Sequence, residues 1–287
     1  MCWLGGQLGF DRPADWYQLR RSDFARNHGH GFLKQFAGSP IAAVRDYLPT
    51  RDWKEWLFRQ VSPGFWQSEP NRIRYMKWLG RRLKFRRPED WYRVTVRCYR
   101  ENSGLGLLAI FTNSPARTVM SCFPDEDWKE WLFNTVPAGF WNKRQNRLRY
   151  LKWLEEQIGI SKPDEWYQVK QSDFFQRQGT GVLRFVYRGS PGAAAKDLYP
   201  DHCWHEWLFP QVPHAFWKKR ANRRRYMRWL ADRIGIRRPS HWMSVTNQHF
   251  CDHGGRHLFE TEYERSVHKA VRDHLPQYKW RPEAFTS

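Results

Sequence analysis

The sequence predicts an all-α protein, a tandem array of helical repeats about 75 residues long, with three full units and a partial N-terminal one. Three observations predict it. All 18 tryptophans fall into five register positions of the repeat. One column is Trp3, Trp78, Trp153 and Trp229; a second is Trp16, Trp91, Trp166 and Trp242; a third is Trp53, Trp128, Trp204 and Trp280. Trp56, Trp131 and Trp207, then Trp66, Trp141 and Trp217, complete the set. Tryptophan is too large to recur in register by accident, so the chain is a duplicated unit. The longest segment of each copy spaces its apolar residues as a helix does, with Tyr150, Leu154 and Ile158 at i, i+4 and i+8. Sustained two-residue alternation is nearly absent, with room only for a short strand near 94–97.

Other residues keep the register. Asn71-Arg72, Asn146-Arg147 and Asn222-Arg223 form one pair, followed by Tyr75, Tyr150 and Tyr226. Pro13, Pro88, Pro163 and Pro239 each precede a tryptophan by three residues, and Phe58, Phe133, Phe209 and Phe285 close the copies. These columns place boundaries at 1–58 for the partial unit, then 59–133, 134–209 and a divergent 210–287. Met1 aligns with Met76, so the first copy starts inside its long helix. A cut array and a degenerate terminal half-unit both explain that start.

The second full unit shows the expected order of elements. Pro137-Ala138-Gly139-Phe140 reads as a turn into a long helix from about 142 to 158, with Gly159 as its C-cap. Ser161-Lys162-Pro163-Asp164-Glu165-Trp166 reads as the start of a short helix, with proline in the first turn and acids at the positive end of the dipole. Gly179-x-Gly181 matches Gly104-x-Gly106 and reads as a turn or helix start. Ser190-Pro191 opens a small-residue helix ending near Pro200. Trp204 and Trp207, at i and i+3, are expected on one helix face.

Pro88-Glu89-Asp90-Trp91-Tyr92, Gly104-x-Gly106-Leu107-Leu108 and Trp128-x-x-Trp131-Leu132-Phe133 together form a composite pattern. In these residues, over nearly the whole chain, it resembles Trp-rich tandem repeats of predicted proteins in fungi, algae and oomycetes. The resemblance implies a modular chain and carries no activity with it.

The charge is +20, from 49 basic and 29 acidic residues. Such an excess favours a polyanionic partner. No apolar run reaches membrane-spanning length, so no membrane partner is expected. The five cysteines share no register, which points to a reducing compartment and not to a duplicated disulfide framework.

The basic charge concentrates on the long helix. Between Asn71 and Pro88 there are eight basic residues and no acid, and Lys218–Arg238 holds ten against Asp232 alone. At 100° per residue, Tyr75, Met76, Leu79 and Leu83 share one face, while Arg74, Lys77 and Arg81 share the other. Arg149 and Lys152, then Arg225 and Arg228, repeat the basic positions, and Lys218, Lys219 and Arg220 extend them. These ten residues are the expected phosphate contacts of a nucleic-acid-binding protein, with DNA favoured over RNA because a basic helix fits the major groove. Trp78, Trp153 and Trp229 border that face and are candidates to stack on bases. Arg72, Arg147 and Arg223 point toward the apolar side, where Glu55, Glu130 and Glu206 are their expected partners. The runs Lys218–Arg225 and Arg81–Arg87 match nuclear import signals, so a nuclear location is expected. The alternative is a scaffold that binds acidic protein partners.

The sequence offers little catalytic chemistry. His249, Cys251, Asp252, His253 and His257 crowd together, but they lack two ligand pairs at zinc spacing and do not recur. The Gly-x-Gly pairs lack the Gly-Lys-Ser/Thr of a nucleotide loop. No nucleophile–base arrangement repeats. No enzyme activity, cofactor or metal is expected, and repeated like groups suit binding by avidity.

Overall fold

A computed structural model of the chain describes residues 1–213 and 215–285. All regular structure among them is helical, in short α-helices and 3-10 turns, and the longest helix, Arg144–Ile158, has fifteen residues. None is long and apolar enough to cross a membrane. The chain divides into two compact units, Met1–Phe140 and Trp141–Ser287.

In the first unit the long helix Glu69–Arg82 follows the 3-10 turn Phe65–Gln67. The turn Pro88–Arg93, the helices Val96–Glu101, Leu105–Ile110 and Pro115–Cys122, and the turn Glu130–Leu132 come next. Residues before 58 run through the later part of that order, from Cys2–Leu8 to Glu55–Leu57. The second unit runs through it from Arg144–Ile158 and again from Arg220–Arg233.

The same side chains start and stop each element. Ser39, Ser114, Ser190 and Ser266 each cap a helix, their Oγ accepting the amide of Ala42, Arg117, Ala193 and Lys269 at 3.1–3.3 Å. Such caps contribute about 1 kcal/mol each. Gly159 ends its helix in the left-handed region, at φ 77°. The acids ahead of the second tryptophan column are caps too. The Asp90 carboxylate accepts the amides of Arg86 and Arg87 at 2.8 and 3.1 Å, and Glu165 accepts those of Ser161 and Lys162 at 2.6 and 3.1 Å. Those amides hold both carboxyls below the ordinary range.

The glycine pairs begin helices and admit aromatic rings. Gly104 precedes Leu105–Ile110, and a Cβ on it would lie 2.0 Å from the Tyr75 hydroxyl. That hydroxyl donates to the Asn102 carbonyl at 3.1 Å. Gly179 and Tyr150 repeat the close approach at 1.9 Å, with the hydroxyl donating to the Arg177 carbonyl. Gly106 and Gly181 leave room for the indoles of Trp66 and Trp141.

The third tryptophan column has one structural task. Trp53, Trp128, Trp204 and Trp280 donate Nε1–H to the carbonyl five residues back, at 2.7–3.1 Å. Trp53 and Phe58 pack against Tyr17, at 5.2 and 4.8 Å between ring centroids. Trp56, three residues after Trp53, turns the other way, onto Tyr75 and Trp78 at 5.4 and 5.3 Å. Trp204 and Trp207 divide in the same manner, between Tyr167 and the Tyr226–Trp229 pair. The expectation that Trp204 and Trp207 share one helix face is therefore corrected. The turn Glu206–Leu208 begins after Trp204, so the two rings diverge. A cut at residue 58 consequently crosses a packed aromatic seam.

One further expectation changes. No strand forms near 94–97, because the Thr95 hydroxyl accepts the Cys98 amide and caps the helix Val96–Glu101. Trp3 is 62 % exposed, while Trp78 of the same column is half-buried against Trp56.

His274 gives the fold a pH dependence. Burial, then the nearby Arg224 and Arg228, push its pKa down from 6.5 to about 4. Its Nδ1 is buried without a hydrogen bond. Protonation favours the unfolded chain, so this neutral imidazole costs stability as pH falls through 6.5, and the loss levels off below about 4. Leu198 stands at the same register position in the preceding copy. His274→Leu is expected to flatten the fall of the thermal midpoint between pH 6.5 and 4.5, measured by circular dichroism; an unchanged pH profile would show that His274 is not the titrating group.

Candidate nucleic-acid interface

The long helices are fastened before they present anything. In the first unit Asn71 Nδ2 donates to the Phe65 carbonyl at 3.0 Å, and the Arg72 guanidinium donates to the carbonyls of Trp66 and Gln67 at 3.1 and 2.7 Å. Asn222 and Arg223 repeat this with Phe216, Trp217 and Lys218. The Asn-Arg column thus ties the helix to the turn before it. Arg147 and Arg223 also bind Asp197 and Asp273, at 3.1 and 2.9 Å.

This geometry corrects the expected partner of the retained acids. Glu55 pairs with Arg74 and Arg45, and Glu206 pairs with Arg225 and Lys196, so neither meets Arg72 or Arg223. The carbonyls of the preceding turn draw in Arg72 and Arg223. The next turn brings Arg74 and Arg225 over Trp56 and Trp207, at 5.3 and 5.2 Å, beside the acid preceding each indole. Arg74 and Arg225 are thus partly committed to the aromatic seam.

The other predicted residues divide into two groups. Lys152 contacts Glu155 at 2.9 Å and the Tyr199 hydroxyl at 2.7 Å. Lys218 pairs with Glu262 at 3.2 Å, and Arg220 with Asp273 at 3.0 Å. Lys77 and Arg81 in the first unit are exposed, and no hydrogen bond or ion pair engages them among the described residues. Lys219 and Arg228 in the second unit are placed alike. Arg149 is exposed at the register position of Arg74. Arg86 and Arg87, Arg224, and Arg237 and Arg238 are also exposed. Their runs were visible in the sequence, but helical spacing could not choose them because most lie past the helix end.

In the second unit His274 is pushed down by burial and then by Arg224 and Arg228, and His205 by burial and then by Arg225 and Arg233.

The border tryptophans are less available. Arg82 lies over Trp78 at 5.8 Å, and Trp56 packs on the same indole. Arg233 lies over Trp229 at 5.7 Å, with Trp207 and His205 beside it. A base stacking on either ring has to displace an arginine. Trp153 packs on Tyr150, and Gln157 takes the register position of those arginines.

No family model, curated protein or solved structure matches the chain.

The histidine-rich segment is spent on local bonds. His249 Nδ1 accepts the Thr246 amide at 3.0 Å, and His253 Nδ1 meets the His249 carbonyl at 2.8 Å. No group of three or more His, Cys, Asp or Glu side chains is placed to hold a metal among the described residues. The five cysteines are unpaired.

Proposed function

We propose that this chain is a tandem-repeat, nucleic-acid-binding protein that contacts phosphates through the basic faces of its long helices. One observation carries the reading. Lys77 and Arg81 on the long helix of the first unit, and Arg228 on that of the second with Lys219 at its N-cap, stand exposed with no hydrogen bond or ion pair among the described residues, in a chain of charge +20. A face that only needed solvation would mix signs. Lys218 and Arg220 join them, because half-exposed ion pairs are worth about 0–1 kcal/mol and exchange readily for phosphate. Arg74 and Arg225 contribute charge mainly from within the seam.

Duplex DNA is the favoured form. Each long helix of fourteen or fifteen residues is about 21–22 Å long, enough to lie in a major groove. Anisotropy titrations of labelled duplex DNA, single-stranded DNA and RNA at several salt concentrations test the proposal. Binding that is micromolar or tighter at low salt and weakens steeply with salt is expected. Absence of binding to all three at low salt would refute it. Binding to an acidic polypeptide alone would move the reading to a scaffold.

A further inference from the structure

The second unit holds a buried carboxylate in a small cage. Glu155, 5 % exposed, accepts Trp166 Nε1–H at 2.7 Å, the Tyr199 hydroxyl at 2.7 Å and Lys152 Nζ at 2.9 Å. The first unit keeps much of that frame without the anion. Trp91 stands at the position of Trp166, Lys77 at that of Lys152, and Gly80 at that of Glu155. Phe123 replaces Tyr199. A Cβ on Gly80 would lie 3.0 Å from Trp91 Cζ2 and 3.8 Å from Cε2, so the indole edge beside Nε1 faces the place of the lost side chain. Trp91 Nε1 has no hydrogen-bond partner among the described residues and, unlike Trp56 Nε1, is not fully enclosed, so its N–H remains accessible although the residue as a whole is 8 % exposed.

A cleft of about 370 Å³ opens there. Lys77, Arg81, Arg86 and Arg87 line it together with Phe85, Trp91 and Phe123. Glu126 is the one acid of the lining. The volume lies in the range of small-ligand sites. Four cations and an idle indole N–H suit a dianion. The exchange of the Tyr199 hydroxyl for the Phe123 ring turns a polar wall into one that favours an aromatic group.

We propose that this cleft binds a nucleoside monophosphate, its phosphate taking the place that the Glu155 carboxylate fills in the second unit. Trp91 Nε1–H and Lys77 hold the phosphate, Arg81, Arg86 and Arg87 balance its charge, and the base lies against Phe123, which is half-buried beside Trp91. The phosphate comes from a free nucleotide or from the 5′ end of a strand. The cleft shares Lys77 and Arg81 with the helix face proposed above, but rests on the emptied carboxylate position.

Calorimetric titration with adenosine monophosphate, adenosine, and 5′-phosphorylated and 5′-hydroxyl oligonucleotides tests this. Adenosine monophosphate is expected to bind at least about tenfold more tightly than adenosine. A free-nucleotide site shows that preference with either oligonucleotide end bound alike; a strand-end site shows a preference of similar size for the 5′-phosphorylated oligonucleotide. Gly80→Glu restores the internal carboxylate, which would pair with Lys77 as Glu155 pairs with Lys152, so it should remove the phosphate preference while lowering duplex affinity by no more than the share of one phosphate contact. Trp91→Phe, which removes only the indole N–H and some ring area, should weaken the monophosphate more than adenosine. Absence of any phosphate preference, or a folded Gly80→Glu protein that keeps it, would overturn the proposal. Loss of duplex binding with the phosphate preference intact would overturn the helix-face reading and leave the cleft standing.

Discussion

Reversing Lys77, Arg81, Lys219 and Arg228 together to glutamate lowers nucleic-acid affinity by about a hundredfold or more at low salt, with little change in thermal midpoint. The affinity loss follows from phosphate neutralisation, since each removed contact takes a released counterion with it. The stability result follows from the absence of internal partners. These four side chains are exposed and make no hydrogen bond or ion pair among the described residues. Anisotropy titration and thermal denaturation of one protein preparation check both halves. Arg74→Glu behaves oppositely. It sets a carboxylate against Glu55, which is 6 % exposed, and costs on the order of a few kcal/mol of stability. Reversal at Arg74 or Arg225 therefore measures the seam as much as the ligand face.

Trp56→Ala is the most damaging single substitution expected in the first unit. The indole is 1 % exposed and packs edge-on against Tyr75, beside Trp78 and beneath Arg74. Truncation of a buried tryptophan costs about 3–5 kcal/mol. The loss also removes the aromatic surface that holds Arg74 near Glu55. Chemical denaturation should show a lower midpoint, and near-ultraviolet circular dichroism should lose part of its aromatic signal. Trp3→Ala is the internal control: Trp3 belongs to the column of Trp78 but is 62 % exposed, so its removal changes the midpoint far less.

Much of the frame was legible because the same residues recur several times along the chain. The helix over Arg144–Ile158, its Gly159 cap, the Ser190 cap and the capping role of Glu165 all follow from local rules that act within four residues. The divergence of Trp53 from Trp56 was not legible. Spacing of i and i+3 implies one face only if the helix already runs through both, and here the turn Glu55–Leu57 starts between them. The choice between Arg72 and Arg74 as the partner of Glu55 was hidden for a related reason. A helical wheel ranks directions about one axis, while Glu55 reaches the helix from another segment and Arg72 is drawn to the carbonyls of Trp66 and Gln67. The candidate face was legible as a charge pattern. Which of its cations carry internal partners depended on acids distant in sequence, such as Asp273 against Arg220.

The most direct test is the salt dependence of duplex binding in the wild-type protein and in the fourfold reversal at Lys77, Arg81, Lys219 and Arg228. On a plot of log affinity against log salt, the wild-type line should be steep, and the variant's slope should be shallower by about 3–4, close to 0.9 per lost phosphate contact. Equal slopes for the two folded proteins would contradict the assignment of the phosphate-binding surface to the exposed faces of the long helices.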